Sequence, residues 1–287
     1  MSLPHRLPGP EKHYALTRCI WPPAISSKKY SSQVVIVMRS EERMDRVFGV
    51  NWQLTEQPTG RCHPTDLNVP ATNLNNYAKG FDLKNNPPIT VMGKYKAILT
   101  ARAVQNRNLA PHQIICSPTL RSVETASAVA GYLKIPICIE PGLSEHPADQ
   151  LNYDLPLLME TFNIDSDYKP LVPWTTLSSP ESSNDVPGRV QSTLKALMQT
   201  DRSCALFIVA HGLVQVALCH LASGPALEDI QEMKKVDPVE IGLRFPPGSI
   251  VTAVRASEEA PYHYSIVNHL VPPLSYGQFF SNAPVPI

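Results

Sequence analysis

The sequence predicts an α/β domain built around a mostly parallel β-sheet. Short runs of β-branched and other apolar residues recur along the chain, as at residues 33–38 and Ile114–Cys116, and helix-like segments alternate with them. Of the 287 residues, 43% are apolar, which is enough to form a substantial core. Strands that alternate with helices are typical of a sheet covered by helices on both faces.

The predicted elements follow from the period of the apolar residues and from their boundary signals. Strands are expected at residues 33–38, 114–116, 135–140, 205–210, 249–254 and 262–268. Helices are expected at residues 90–108, 117–133, 151–162, 190–199 and 212–223. Ser117 and Pro118 would supply the N-cap and the first helical position of the second helix.

One apolar stretch, residues 204–222, is nearly long enough to cross a bilayer. His211 and Gln215 lie near its centre, where polar groups are costly in a membrane. We therefore predict a buried strand, a turn at His211 and Gly212, and a packed helix, and we expect no membrane partner.

Proline marks the loops and the ends of the chain. There are 29 prolines, about twice the usual share of roughly 5%. We predict an N-terminal arm at residues 1–32, one domain at residues 33–275 and a C-terminal tail at residues 276–287. Long loops are expected at residues 53–88 and 141–187, and long loops in compact domains are often functional.

Charge and cysteine content exclude several classes of protein. The chain has 25 Lys and Arg against 25 Asp and Glu, and only 17% of its residues are charged, so we expect no nucleic-acid partner. None of the six cysteines forms a C-x-x-C pair, which favours reduced core thiols over a zinc site or a disulfide framework. No apolar leader is evident at the N-terminus, so we expect a cytoplasmic protein. We also expect no metal and no other cofactor.

Three predicted strands end in residues that suit an anion. These ends read V-M-R-S-E-E-R-M-D (37–45), C-S-P-T-L-R (116–121) and I-V-A-H-G (208–212). Ligands of open α/β sheets bind beyond the carboxyl ends of the strands, so Arg39, Arg43, Arg121 and His211 should surround one crevice. Arginine offers a planar fork of donors to phosphate oxygens, and histidine handles protons or phosphoryl groups.

Each of these residues also has a simpler interpretation. Arg39 and Arg43 would suit a solvated helix start, Arg121 a salt bridge to Glu124, and His211 a hydrogen-bonded place in the core. A single match of this kind is weak. Four such residues at three strand ends together favour an oxyanion site.

The ordered motifs resemble the histidine phosphatase (phosphoglycerate-mutase-like) superfamily. They are R-S-E-E-R-M-D-R-V-F-G, C-S-P-T-L-R-S-V-E-T-A, E-P-G-L-S-E and I-V-A-H. Within it, the chain is similar to the branch of the suppressor-of-T-cell-receptor-signalling (UBASH3) proteins and the insect ecdysteroid-phosphate phosphatases. The resemblance covers roughly residues 33–270 and includes further matching stretches at 42–49, 65–70, 87–93 and 168–173.

The resemblance implies a three-layer αβα, phosphoglycerate-mutase-like fold and a phosphatase site. In the superfamily, the first strand ends in R-H-G-E-R, whose histidine accepts the phosphoryl group. The resemblance assigns the phosphate clamp to Arg39, Arg43, Arg121 and a cationic His211, and the proton donor to Glu145. It also implies a phosphorylated ligand or phosphoprotein as partner, and a homodimer.

This chain departs from that pattern at two neighbouring positions. Ser40 stands at the nucleophile position, and Glu41 at the glycine that follows it. A serine hydroxyl needs a base within hydrogen-bond reach to act as a nucleophile. A carboxylate pointing into the crevice would repel a phosphate, and a side chain at position 41 would forbid a positive φ. We therefore predict a catalytically impaired pseudophosphatase that keeps an anion pocket and acts by binding or regulation.

Two alternatives stay open. One is an active phosphomonoesterase that uses His211 as nucleophile or base and Glu145 as acid, although the aromatic residue expected after the glutamate is missing. A lone loop histidine such as His63 would be a further source of chemistry, but it is more often simply solvated. The other alternative is a structural interaction module without a functional pocket.

Overall fold

A six-stranded sheet forms the centre of the computed structural model. The structure describes residues 33–49, 52, 66–70, 81–146, 155–174, 181–200, 205–222, 237–255, 263–267, 270–277 and 280–284. The strands of the sheet are β1 (Val34–Arg39), β2 (Ile114–Cys116), β3 (Ile137–Ile139), β4 (Leu206–Ala210), β5 (Ile250–Arg255) and β6 (Tyr264–Ile266). Their order is β3-β2-β4-β1-β5-β6. The first four are parallel, and β5 and β6 are antiparallel to their neighbours.

The helices of the described residues cover both faces of this sheet. They are α1 (Met44–Phe48), α2 (Val91–Asn106), α3 (Leu120–Leu133), α4 (Leu155–Thr161), α5 (Val186–Gln199), α6 (Gly212–Ala222) and α7 (Pro238–Arg244). A single 3₁₀ turn, Pro141–Leu143, follows β3. None of these helices is long and apolar enough to cross a membrane.

Alternation along β1 divides the core into two layers. Ile36 and Met38 pack with buried residues of α2 and α3 on one face, while Val35 and Val37 pack with α5 and α6 on the other. Successive strand side chains point to opposite faces, so a strand buried on both sides reads as a continuous apolar run. The three-layer αβα architecture expected from the sequence is confirmed.

The boundaries differ from the predicted ones mainly at helix starts. Helix α3 begins at Leu120 with Thr119 as its N-cap, so the prediction that Ser117 caps this helix is wrong. The Ser117 hydroxyl bonds a histidine instead. Helix α5 begins four residues before the predicted start, with Pro187 in its first turn, where a missing N–H costs nothing.

Two short strands, β7 (Ser275–Gly277) and β8 (Phe280–Ser281), lie in the segment that the sequence assigned mainly to a tail. Asn282, which follows them, is 3% exposed and donates from Nδ2 to the carbonyl of Gly248 at 2.8 Å. The packed structure therefore extends past residue 275. The predicted N-terminal arm lies outside the described residues.

Candidate anion site at the carboxyl ends of the strands

Adjacent parallel strands bring the candidate residues to one edge of the sheet. Arg39 ends β1, Ser117 follows β2, and His211 follows β4, which lies between those two strands. Glu145 arrives from the turn after β3. The carboxyl ends of neighbouring parallel strands lie at the same edge of a sheet, which is the reason why the sequence predicts that these side chains lie close together.

A carboxylate joins the buried arginine to the histidine. Arg121 Nη2 donates to Glu145 Oε1 at 2.5 Å, and His211 Nδ1 lies 3.2 Å from the same oxygen. Burial by itself would raise the pKa of Glu145, but the His211 and Arg121 side chains hold it well below its usual value. Glu145 is thus ionised at neutral pH, and it forms an ion pair with Arg121 rather than standing ready as a proton donor.

His211 is held at both ring nitrogens. Its Nε2 lies 2.8 Å from the Ser117 hydroxyl, and both residues are buried. Burial lowers the pKa of His211 to about 4 despite the opposing charge of Glu145. Since an ionised carboxylate only accepts hydrogen bonds, the neutral ring carries its proton on Nδ1, and Ser117 donates to Nε2. The resemblance implies a cationic histidine here, whereas this ring is neutral at pH 7 without a bound anion.

The two arginines of the first motif differ in their surroundings. Arg39 Nη1 donates to the carbonyl of Phe245, and burial lowers the pKa of Arg39, which also responds to the charges of Glu145 and Arg121. Arg43 donates both Nε and Nη2 to Asp45, at 2.9 and 2.7 Å. Arg39 therefore lies close to the carboxylate–histidine cluster, while the fork of Arg43 is occupied by its own neighbour.

Ser40 is fixed by its backbone. Its N–H donates to the carbonyl of Ala210 at 2.8 Å, and its own carbonyl accepts from the N–H of Gly248 at 3.2 Å. The residue is 4% exposed, and among the described residues its hydroxyl has no hydrogen-bond partner. No basic side chain of the described residues is hydrogen-bonded to this hydroxyl.

Glu41 points away from the cluster of Arg121, Glu145 and His211. Its carboxylate is buried against Gly248 and pairs with Lys96 of α2 at 3.4 Å. Burial raises the pKa of Glu41 to about 7, and Lys96 opposes that rise. Gly248 has φ +72°, a conformation that favours glycine, and a Cβ there would lie 2.3 Å from Glu41 Oε1. Both the backbone conformation and the lack of space therefore require glycine at this position. The sequence left open whether Glu41 enters the crevice, and its side chain does not.

His146 and Ser117 border the site and were missed as site residues. His146 Nε2 lies 3.5 Å from Arg121 Nη2. The available signal was position: His146 follows Glu145 directly, and Ser117 follows β2 directly. His63 lies outside the described residues, and among those described no cluster of metal-binding side chains was found.

Comparison with known proteins adds evidence of a different kind. The family model described as histidine phosphatase superfamily (branch 1) matches residues 71–242. The human ubiquitin-associated and SH3 domain-containing protein A is 31% identical over 193 residues, which cover 62% of this chain and 29% of that protein. The Drosophila melanogaster ecdysteroid-phosphate phosphatase is 26% identical over 75% of this chain and 30% of its own. The chain thus spans about a third of the length of the curated relatives it matches.

A solved structure agrees in fold. The crystal structure of the ecdysone phosphate phosphatase from Bombix mori, in complex with tungstate, superposes with a TM-score of 0.62 at 23% sequence identity. The superposition covers 86% of this chain and 98% of the silkworm chain. Because the family model covers more than half of its length, the chain belongs to the histidine phosphatase superfamily, among relatives of the UBASH3 and ecdysteroid-phosphate phosphatase branch.

Proposed function

We propose that this protein is a catalytically impaired histidine phosphatase that binds phosphate monoesters or phosphoproteins and acts through that binding. The observation that carries the proposal is the state of Ser40, which directly follows β1 and whose hydroxyl is hydrogen-bonded to no base among the described residues. His211, the evident base, is engaged by Ser117 on one nitrogen and by Glu145 on the other. Without an activated nucleophile, the covalent route is lost, and that loss typically costs orders of magnitude in rate.

The state of Glu145 supports the same proposal. A general acid has to carry its proton at the working pH, and the pKa of Glu145 is held well below its usual value. The residue instead pairs with Arg121 and His211, the two groups that we propose as phosphate ligands together with Arg39 and Arg43. A carboxylate oxygen that already contacts both groups supports an oxyanion site at this place.

The experiment compares turnover with binding in the purified full chain. We expect no hydrolysis of p-nitrophenyl phosphate above the level of Arg39→Ala, together with stabilisation by tungstate in thermal unfolding. Arg121→Ala should abolish that stabilisation. Arg244→Ala is the matched control, because Arg244 forms an exposed ion pair with Glu240 on α7. If tungstate does not bind, the proposed anion site is contradicted, and a structural interaction module without a functional pocket becomes the favoured interpretation.

One observation favours a second candidate, an active phosphomonoesterase. A histidine with a pKa of about 4 is unprotonated at neutral pH and is thus able to act as a base. In that case wild-type hydrolysis should be clear, and both Arg39→Ala and His211→Ala should abolish it. Such a result would replace the first proposal.

The homodimer and the cytoplasmic location stay predictions. Sedimentation equilibrium of the purified chain tests the dimer: a single species of 31.7 kDa at micromolar concentration would contradict it.

A further inference from the structure

Arg189 of α5 uses its whole guanidinium group to hold the turn that carries Glu145. Nε and Nη2 donate to the two carboxylate oxygens of Glu181 at 2.7 and 2.9 Å. Nη1 donates to the carbonyls of Gly142 and Ser144 at 2.8 and 3.0 Å, and Nη2 donates to the carbonyl of His146 at 3.3 Å. These five contacts equal the five N–H donors of arginine.

The bonded carbonyls bracket Glu145, since they belong to the residues directly before and after it and to Gly142. An arginine fork is rigid and planar, so three carbonyls bonded to it are fixed relative to one another. Glu181 fixes the fork in turn through a bidentate pair, which is the strong form of such contacts. The backbone on both sides of Glu145 is therefore tied to α5.

Two further contacts keep the turn from sliding along α5. The N–H of Gly142 donates to the buried Glu140 carboxylate at 3.1 Å. A Cβ added at Gly142 would lie 2.4 Å from Thr193 Oγ1, one helical turn beyond Arg189. The turn is thus packed directly against the helix that provides the arginine.

We propose that Arg189, oriented by Glu181, is a positioning residue that holds the Glu145 carboxylate on Arg121 and His211 as a built-in competitor for oxyanions. The proposal rests on the proposed anion site. An incoming sulfate or phosphate group has to replace Glu145 as the partner of both cation and imidazole, and a carboxylate left nearby repels it. The strength with which the turn is held then sets the affinity for the anion.

The test uses Arg189→Lys, which keeps the charge but replaces the fork with a single ammonium group. Arg244→Lys is the matched control, and Glu145→Ala is the reference that removes the competing carboxylate. Two quantities are measured at pH 8: the ring nitrogen and proton NMR signals of His211, and the affinity for sulfate by calorimetry. Sulfate is chosen because it does not titrate in this range.

In Arg189→Lys we expect the Nδ1 proton signal of His211 to move toward its position in Glu145→Ala, because the hydrogen bond to Oε1 weakens. Sulfate should bind about tenfold more tightly to Glu145→Ala and about threefold more tightly to Arg189→Lys, where tenfold corresponds to about 1.4 kcal/mol. Arg244→Lys should match the wild type in both measurements.

A wild-type His211 signal in Arg189→Lys would overturn the positioning role. A displaced signal with unchanged sulfate affinity would overturn the competition. If no variant binds sulfate, including Glu145→Ala, the proposed anion site fails, and the His211 signal still decides the role of Arg189. If Arg189→Lys folds poorly, Glu181→Gln serves as the second variant, because it weakens the carboxylate pair that orients the Arg189 guanidinium.

Discussion

Replacing Glu41 with glutamine should change how the stability of the protein depends on pH. The pKa of Glu41 in the folded protein is about 7, against an ordinary value of 4.5, because the carboxyl is buried. At 1.36 kcal/mol for each pKa unit, this shift corresponds to about 3 kcal/mol. The sign follows from the raised pKa: the folded state binds the proton more tightly, so the contribution is present below pH 4.5 and is lost as pH rises through 7.

His211 acts in the opposite direction and masks this effect in the wild type. Burial lowers its pKa from 6.5 to about 4, so its contribution is present above pH 6.5 and is lost as pH falls through 4. Between pH 6.5 and 4.5 the two contributions nearly cancel. The informative quantity is therefore the difference between the wild type and Glu41→Gln, in which the contribution of His211 is common to both proteins.

Urea unfolding at pH 5 and pH 8 measures this difference. We expect the free energy of unfolding of the wild type, relative to Glu41→Gln, to be larger at pH 5 than at pH 8 by about 2–3 kcal/mol. Glu240→Gln is the control, because Glu240 is exposed and paired only on the surface of α7. Parallel pH dependences for the wild type and Glu41→Gln would refute the idea that a buried, weakly compensated carboxyl lies at position 41.

Three further outcomes are expected. Restoring the superfamily motif with Ser40→His and Glu41→Gly should give little p-nitrophenyl phosphate hydrolysis, because the double change removes a partner of the buried Lys96. Adding Lys96→Met to this variant should increase the yield of folded, active protein. Equal yields with and without Lys96→Met would contradict this explanation. Gly142→Ala should lower stability by about 1–3 kcal/mol in urea unfolding, because the added methyl group overlaps the side chains of Thr193 and Val172. Gly131→Ala, where the methyl group meets open space, should not lower it, and similar losses in both variants would refute the packing argument. Ser117→Ala should shift the Nε2 NMR signal of His211 at pH 8, because that nitrogen loses its donor while Glu145 still holds the proton on Nδ1; an unchanged Nε2 signal would show that Ser117 does not donate to it.

The central sheet and the long helices were readable from the sequence because their signals are local. Strand β2 coincides with its predicted range, and β1 and β4 lie within a residue or so of theirs. Buried parallel strands need continuous apolar runs, and these runs are visible without tertiary information. Helices α1 and α7 were not predicted. With five and seven residues they are too short to show a clear helical period of apolar residues, and helices of this length depend on packing for their stability.

The grouping of Arg39, Arg121 and His211 was also expected from the sequence. Arg39 and His211 stand at or directly after strand ends, and Arg121 lies in the first turn of the helix that follows β2. The partner of each side chain was not expected from the sequence. The sequence suggested a salt bridge between Arg121 and Glu124. In the structure Arg121 donates to the carboxylate of Glu145, and Glu124 accepts a hydrogen bond from the N–H of Ile89. Charge alone does not choose between two glutamates.

The sequence by itself determined which chemical groups stand at the strand ends, including a hydroxyl at position 40 and a carboxyl at position 41. Only the tertiary structure decided that Glu41 turns toward Lys96 of α2, that His211 stays neutral, and that Arg189 ties down the Glu145 turn. The physical reason is that pairing and pKa depend on distance and burial in space, and segments far apart in the chain set both.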